Sequence, residues 1–346
     1  MQNDRIRVAI NGFGRIGRCI LRAYIESEDI LKKEVEISVI NSGNMTVGEA
    51  VHLLKYDSTH GTLRYDLSES ENCINLKFGP VQVLSANHIE ELDWCAHDID
   101  IVLECTGQFN TRQQAIQHIK NGAKKVIVSA PCKEADITVI LGGNEDHLTA
   151  QHNIISIGSC TTNCIVPIVK ILNDTIGIEH GFMTTIHAYT NDQKLLDGRH
   201  KDKRRARAAC MSMIPTSTGA AKSIGEIIPE LKGKIGGTAI RVPVPNVSLI
   251  DFKFSAASTT TPKQINQLIQ SAISTSTSDI LDIVYKELVS IDFNHTKYSA
   301  IFDTTQTYVV GEYFCRVAAW YDNEWGFSHR MLDTCRLLAK FKNKTL

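Results

Sequence analysis

The chain has 346 residues, more than one domain usually holds, so two domains and a substantial core are expected. Apolar residues make up 43% and charged residues 22%, and the formal net charge of -1 gives no global attraction to nucleic acid or to a membrane surface. No apolar run approaches the roughly 18 residues of a membrane-spanning helix, and the ten cysteines are scattered, which excludes a disulfide scaffold and fits reduced thiols. The N-terminal residues show neither an apolar signal core nor an acid-poor presequence, so a cytoplasmic location is expected. Cys160 and Cys164 have no second Cys/His pair at zinc-finger spacing, and no metal site is expected.

Arg7-Val8-Ala9-Ile10-Asn11 is a short apolar run, followed by Gly12-Phe13-Gly14-Arg15-Ile16-Gly17 and a helical pattern over 18–25. Strand, glycine turn and helix is the order that a dinucleotide fingerprint needs. Gly12 permits the tight turn, Gly14 lets backbone approach a pyrophosphate, and Gly17 lets the helix pack on the strand. Residues 35–40 read as the second strand of the βαβ unit. The acid that normally ends this strand and binds the ribose hydroxyls is missing, because Asn41-Ser42-Gly43 stands there. Further strands are expected at 81–83, 99–103 and 125–128, with a helix at 111–122. Two of these strands end in Cys105-Thr106-Gly107 and Ser129-Ala130-Pro131, positions suited to wall a cofactor beyond the carboxyl edge of a parallel sheet. Residues 139–143 and 154–155 are expected to complete that sheet.

Ser159-Cys160-Thr161-Thr162-Asn163-Cys164 comes next, between a strand-like run and a segment, 165–172, with helical apolar spacing. Cys160 therefore falls where a helix begins, and unpaired N–H groups with the positive end of the dipole favour a thiolate there. Pro167 should kink the helix unless it lies in the first turn. The run 182–187 reads as a strand ending in His187, and an imidazole beside Cys160 would lower the thiol pKa further and supply a base. With a dinucleotide fold, the pair suggests thiol addition to an aldehyde followed by hydride transfer. A basic loop, 197–207, follows. Strands at 238–242, 247–254 and 307–321, interrupted by Gly311, alternate with helices at 222–228 and 261–273, and a last helix spans 328–341. Arg241 sits in an apolar stretch where an unpaired charge would be costly, and Thr190, Ser217, Thr218 and Gly219 supply hydroxyls and flexible backbone for an anion. The fold class is α/β: a Rossmann-type doubly wound parallel sheet over 1–159, completed by 327–346, and a catalytic domain over 160–326 with a mixed, largely antiparallel sheet.

The glycine hexapeptide 12–17, the cysteine hexapeptide 159–164, Thr185-Ile186-His187-Ala188-Tyr189-Thr190, Arg204-Arg205-Ala206-Arg207, the 215–221 segment, Arg241-Val242-Pro243 and the 320–326 segment together resemble the glyceraldehyde-3-phosphate dehydrogenase family. The matches run in order along nearly the whole chain. The resemblance implies NAD(P)-dependent phosphorylating oxidation of D-glyceraldehyde 3-phosphate to 1,3-bisphosphoglycerate, as in glycolysis and gluconeogenesis. Cys160 would form the hemithioacetal and then the thioester, with His187 as base and inorganic phosphate as the second substrate. It further implies that Thr190 and Arg241 hold the substrate's phosphate with Asp192 orienting the arginine. Ser159, Thr161, Thr218 and Gly219 would hold the attacking phosphate. Gly12, Gly14, Arg15, Ile16, Gly17, Ser42, Thr106, Gly107 and Ser129 would bind NAD, with Asn323 on its carboxamide. The basic loop would reach a neighbour in a homotetramer rather than bind nucleic acid, and no membrane partner is implied.

Two departures fall at the adenosine end. Members using NAD usually carry Asp where this chain has Ser42, and Leu-Pro where it has Gly198-Arg199; Ser42 removes the charge that repels a 2′-phosphate. Asn87, however, aligns with a phosphate-binding arginine of NADP-using relatives, so relaxed NAD preference or dual use is expected. Erythrose-4-phosphate dehydrogenase is the alternative enzyme, set aside because residues 188–193 follow the glyceraldehyde pattern. A non-catalytic NAD-binding interaction protein is the alternative of another class, set against the retained Cys160, His187 and Arg241.

Overall fold

The computed structural model describes residues 5–27 and 29–342; residues 1–4, where the segment read for targeting signals begins, and 343–346 lie outside the described residues. Two compact units are present: the described residues of Met1–Val139, Asp146–Gly158 and Ser328–Leu346, and a second unit of Ile140–Glu145 and Ser159–Phe327.

The first unit carries a nine-stranded sheet in the order Ile137–Thr138, Ile154–Ser156, Lys125–Val128, Ile101–Glu104, Ile6–Asn11, Val35–Asn41, Gly79–Leu84, Cys73–Leu76 and Ser68–Ser70. Pairing is parallel as far as Gly79–Leu84 and antiparallel for the last two strands. From Ile6–Asn11 and Val35–Asn41 the chain crosses to the edge strand Ser68–Ser70 and returns inward to Gly79–Leu84, then resumes at Ile101–Glu104 on the other side of Ile6–Asn11. That reversal is the switch point where open parallel sheets bind ligands, beyond their carboxyl ends. Ile6–Asn11, Val35–Asn41 and Ile101–Glu104 are buried almost throughout, as strands covered on both faces must be, which explains their unbroken apolar runs. Ala9, Val39, Leu92, Trp94 and Val102 pack in one cluster, and Ala115, Val126, Val128 and Ile154 in another.

The glycine turn joins Ile6–Asn11 to the helix Arg15–Glu26 with almost no clearance. Gly12 has φ +95°, and a Cβ there would lie 2.7 Å from the Thr106 amide nitrogen. A Cβ on Gly17 would lie 2.2 Å from the Gly12 carbonyl oxygen, so only glycine lets the helix approach this closely.

The second unit has a sheet in the order Ile214–Thr216, Ile235–Val242, Ile178–Ala188, Ser248–Ala256, Phe314–Tyr321, Ala300–Asp303 and Leu281–Val284, with Tyr308–Val310 also paired to Phe314–Tyr321. Ile178–Ala188 pairs with Ile235–Val242 in parallel and with Ser248–Ala256 antiparallel, so the sheet is mixed. Ser248–Ala256 alternates buried with half-buried residues without a break, the pattern of a strand with one covered face.

The structure corrects the expectation for 139–143. The edge strand is Ile137–Thr138, and the chain then turns away, with the Ile140 amide donating to Asn144 Oδ1 at 2.9 Å and Gly142 at φ +77°. Those apolar residues are buried, but in a turn. The helix Cys160–Ile176 continues through Pro167, which lies beyond its first turn.

Gly17→Ala is expected to push the helix off the strand and destabilise the protein by about 1–3 kcal/mol, as overpacked sites do. Chemical denaturation of the purified variant measures this directly.

Candidate active site

Ser159 caps the helix Cys160–Ile176, its Oγ accepting from the Thr162 amide at 3.1 Å, so Cys160 is the first helical residue. His187 lies one residue from the end of the strand Ile178–Ala188, and its Nε2 stands 3.5 Å from Cys160 Sγ. A third element locks the two together. The Tyr321 hydroxyl, fully buried on Phe314–Tyr321, lies 3.0 Å from Thr161 Oγ1 and 2.8 Å from Thr185 Oγ1, and its ring meets His187 edge-on. Tyr321 thus ties the start of the cysteine helix to the histidine strand.

Arg241 is His187's register partner on the neighbouring parallel strand. Its Nη1 donates to Ala188 O at 2.9 Å and to Thr190 Oγ1 at 3.3 Å, and lies 3.0 Å from His187 Nδ1. Nδ1 is also 2.6 Å from Ala188 O. A guanidinium only donates and a carbonyl only accepts, so Nδ1 cannot bond both. The shorter contact puts the proton on Nδ1 and leaves the Nε2 lone pair facing the thiol.

Burial pushes the Cys160 thiol up, against Arg241's charge, the Thr161 hydroxyl and the N–H groups of Thr161 and Cys160, which all favour the thiolate. Burial and then Arg241's charge push His187 from 6.5 down to about 3. For the thiol alone, burial outweighs the helix-end N–H groups that favour the thiolate. Moving the proton from Sγ to Nε2 makes two adjacent opposite charges, each of which favours the other. Cys164 is fully buried one turn further on, and burial pushes its thiol well up.

Asp192, expected to orient Arg241, is bound elsewhere: Arg205 Nη1 lies 2.6 Å from it and His200 Nε2 3.3 Å. Ala188 O and Thr190 hold the arginine instead. Arg241 Nε is buried without a partner, a donor held in reserve. Sequence reasoning missed Arg205, which also donates to Thr216 Oγ1 at 3.0 Å and Ser217 O at 3.2 Å, and whose charge reaches Arg241. Its place in a run of surface-like basic residues hid it. Gly219 stands at the start of the helix Ala220–Ile227, with Thr218 Oγ1 accepting from the Ala220 amide. The Thr161 hydroxyl is turned to Tyr321 and is buried, unlike those of Thr190 and Thr218.

In the first unit, Gly12, Gly14, Ser42 and Thr106 line a cleft of about 250 Å³ at the carboxyl edge of the sheet, with Asn11, Asn41, Gly43, Asn87, His88 and others. The Ser42 hydroxyl lies 2.9 Å from Met45 O and 3.2 Å from Leu84 O, and its one proton is shared between them. None of the cleft's lining residues among those described carries a carboxylate. The remaining expected cofactor residues lie apart from that lining. Arg15 is held by Asp57, 2.6 Å away, with Ile16 beside it in the same helix. Against burial, the His60 amide, Arg15 and the Thr59 amide keep Asp57 down at about 2. Gly17 packs under Gly12, Gly107 takes φ +73°, and the Ser129 amide bonds Glu104 O. Asn323 belongs to the second unit, where Ser248 Oγ donates to its Oδ1 at 2.9 Å.

Residues 6–112 match the family model described as glyceraldehyde 3-phosphate dehydrogenase, NAD binding domain, and 159–323 match that for the C-terminal domain. The chain is 50% identical to the glyceraldehyde-3-phosphate dehydrogenase of Xanthobacter flavus over 97% of its length and 99% of that relative's. It is 48% identical to that of Cereibacter sphaeroides, over 97% and 99% of the two chains. The chain belongs to the glyceraldehyde-3-phosphate dehydrogenase family. It is accordingly an NAD-dependent dehydrogenase with an α/β fold. A third relative named by the same activity, from Bacillus subtilis, is 45% identical over 97% of each chain. The cleft suits NAD on its own terms. A Cβ on Gly14 would meet nothing within 4 Å, so backbone is exposed to a close-lying ligand there, and the lining pairs amides and hydroxyls with Ile89 and Leu92.

His187→Asn is expected to slow iodoacetamide alkylation of Cys160 at pH 7 at least tenfold, whereas Cys164→Ser leaves it within about twofold. His187 also makes the fold acid-sensitive. Its folded pKa lies below its unfolded value, so from pH 6.5 down to about 3 the unfolded chain binds a proton that the folded chain refuses. Stability therefore falls with pH by up to about 1.4 kcal/mol per unit, and His187→Asn should flatten that slope in unfolding curves taken between pH 6 and 4.

Proposed function

We propose that the chain oxidises D-glyceraldehyde 3-phosphate to 1,3-bisphosphoglycerate with NAD and inorganic phosphate, the step that glycolysis uses and gluconeogenesis reverses. The observation that carries this reading is Cys160 Sγ at a helix N-terminus, 3.5 Å from His187 Nε2, in a chain of this family. Sγ attacks the aldehyde carbon and gives its proton to Nε2, while the Cys160 N–H at the helix start stabilises the developing oxyanion. The proton returns to that oxygen to give the hemithioacetal. His187 Nε2 then takes the hydroxyl proton as the carbonyl re-forms, leaving a thioester on Sγ. NAD, held by the first unit, supplies the acceptor for the hydride lost in that step. A phosphate oxygen attacks the thioester carbon, the C–S bond breaks, and the thiolate leaves to recover its proton from His187.

Arg241 and Thr190 hold the substrate's phosphate in this reading, supported by the unpartnered Arg241 Nε and their mutual hydrogen bond. Ser159, Thr218 and Gly219 receive the attacking phosphate, with Thr161 contributing through its place in the first helical turn. Arg205, fixed by Asp192, adds a second positive charge. Asn323 takes the carboxamide of NAD. The division into a dinucleotide-binding domain, 1–159 with 327–346, and a catalytic domain, 160–326, belongs to the same reading. We assign a homotetramer, supported by Leu195, Leu196, Met211 and Met213, each at least 75% exposed on the segment after Asp192 and suited to a second copy of the chain. Ten free thiols support a cytoplasmic location.

Purified protein should form NADH from glyceraldehyde 3-phosphate only when phosphate is present, and faster than from erythrose 4-phosphate. Phosphate-independent NADH formation, or none, would contradict the reading. With no carboxylate among the described residues that line the cleft, kcat/KM for NAD should exceed that for NADP by less than about a hundredfold, roughly 2.7 kcal/mol. Ser42→Asp should widen the ratio at least tenfold.

A further inference from the structure

Beneath the cleft runs a buried polar chain that the reaction does not use. Trp94, Glu104 and His118 are at most 1% exposed, and none of them lines the cleft. Trp94 Nε1 donates to His118 Nδ1 at 3.0 Å. An indole nitrogen can only donate, so Nδ1 accepts and the ring's proton sits on Nε2. Nε2 faces Glu104 Oε2 at 3.0 Å and donates to it. The same Oε2 accepts from Asn11 Nδ2 at 2.7 Å, and Oε1 accepts from the Thr106 amide at 2.7 Å and from the Thr106 hydroxyl. Asn11 Oδ1 in turn accepts from Asn41 Nδ2 at 2.8 Å, whose Oδ1 accepts from the Ala86 amide at 3.0 Å.

The directions in this chain follow from Trp94, which can only donate, and from the Glu104 carboxylate, which can only accept. With His118 donating, Glu104 has all its neighbours as donors, so Asn11 must present its NH2 to the carboxylate and its oxygen to Asn41. That orients the Asn11 and Asn41 amides at the ends of two adjacent strands, and it pins Thr106 two residues past the end of a third. Asn11, Asn41 and Thr106 all line the cleft. A buried carboxylate without these donors would be strongly destabilising, so the arrangement has one satisfied state rather than several.

We propose that His118 is a positioning residue for NAD: through Glu104 it fixes the donor and acceptor pattern that Asn11, Asn41 and Thr106 present to the cofactor, without touching it. This rests on the reading of the cleft as the NAD site. A residue that only filled space would be replaced equally well by any side chain of its size, whereas this role requires one acceptor and one donor.

The test is titration calorimetry of NAD into the purified enzyme. His118→Leu keeps the bulk and loses both hydrogen bonds; it should raise Kd for NAD at least tenfold, with kcat at saturating NAD within about threefold. His118→Gln can accept from Trp94 and donate to Glu104, and it should restore Kd to within about threefold of the parent. Equal Kd values for the two variants, or an unmoved Kd in His118→Leu, would overturn the proposal. Should His118→Leu fail to fold, Trp94→Phe removes the donor that sets the tautomer together with part of the buried ring; a Kd raised at least threefold supports the proposal, and an unchanged one overturns it. Gly14→Val, which places a side chain in the open cradle, should abolish binding. Unchanged binding in that variant would overturn the reading of the cleft itself, separately from the role of His118.

Discussion

The second unit is organised around one contact, between a thiol and an imidazole that burial keeps from holding charge separately. That constraint decides how the residues around it must work. Passing the proton within the pair as the bond to carbon forms keeps either group from carrying a desolvated charge alone. Arg241 raises the demand on His187 and relieves it on Cys160, because its charge disfavours an imidazolium and favours a thiolate. Placing it in register with His187 on a parallel neighbour puts that bias where it acts on both groups. Tyr321 then fixes the distance by bonding the first turn of the helix and the histidine strand at once.

The first unit meets a related constraint without any reactive group. Its sheet buries the ends of three parallel strands beneath a polar cleft, and the polar residues there must satisfy one another before they can satisfy a ligand. Glu104 does this with four donors, and Asn11 and Asn41 carry the pattern to the surface of the cleft. Both units therefore place functional groups at strand ends whose neighbours are already spoken for.

Much of this was legible in the sequence because the physics is local. Gly12 and Gly17 show themselves as glycines wherever backbone must approach backbone, and the cysteine helix announces its start with a small, capping Ser159. The continuous apolar runs of the parallel strands and the alternation of Ser248–Ala256 separate the two sheets. Part of what was missed depends on distant partners, and part was local and passed over. Asp192 pairs with Arg205 and not Arg241 because of how the intervening loop folds, and no spacing rule encodes that. Residues 139–143 look like a strand because they are buried, yet the Asn144 side chain turns them. Glu104 and Asn11 were read past as the ends of apolar runs, although a buried acid there is a signal in itself. The helix Val47–Lys55 was overlooked although Thr46 and Glu49 form a capping box at its start.

The central claim is that Cys160, and no other of the ten thiols, carries the substrate covalently. Mixing the enzyme with glyceraldehyde 3-phosphate and NAD while withholding phosphate, then digesting and weighing the peptides, tests it directly. A 3-phosphoglyceroyl thioester on the peptide containing Cys160, confined to that residue and released when phosphate is added, is the predicted result. An acyl group on Cys164 or another thiol, or one that phosphate does not discharge, would contradict it.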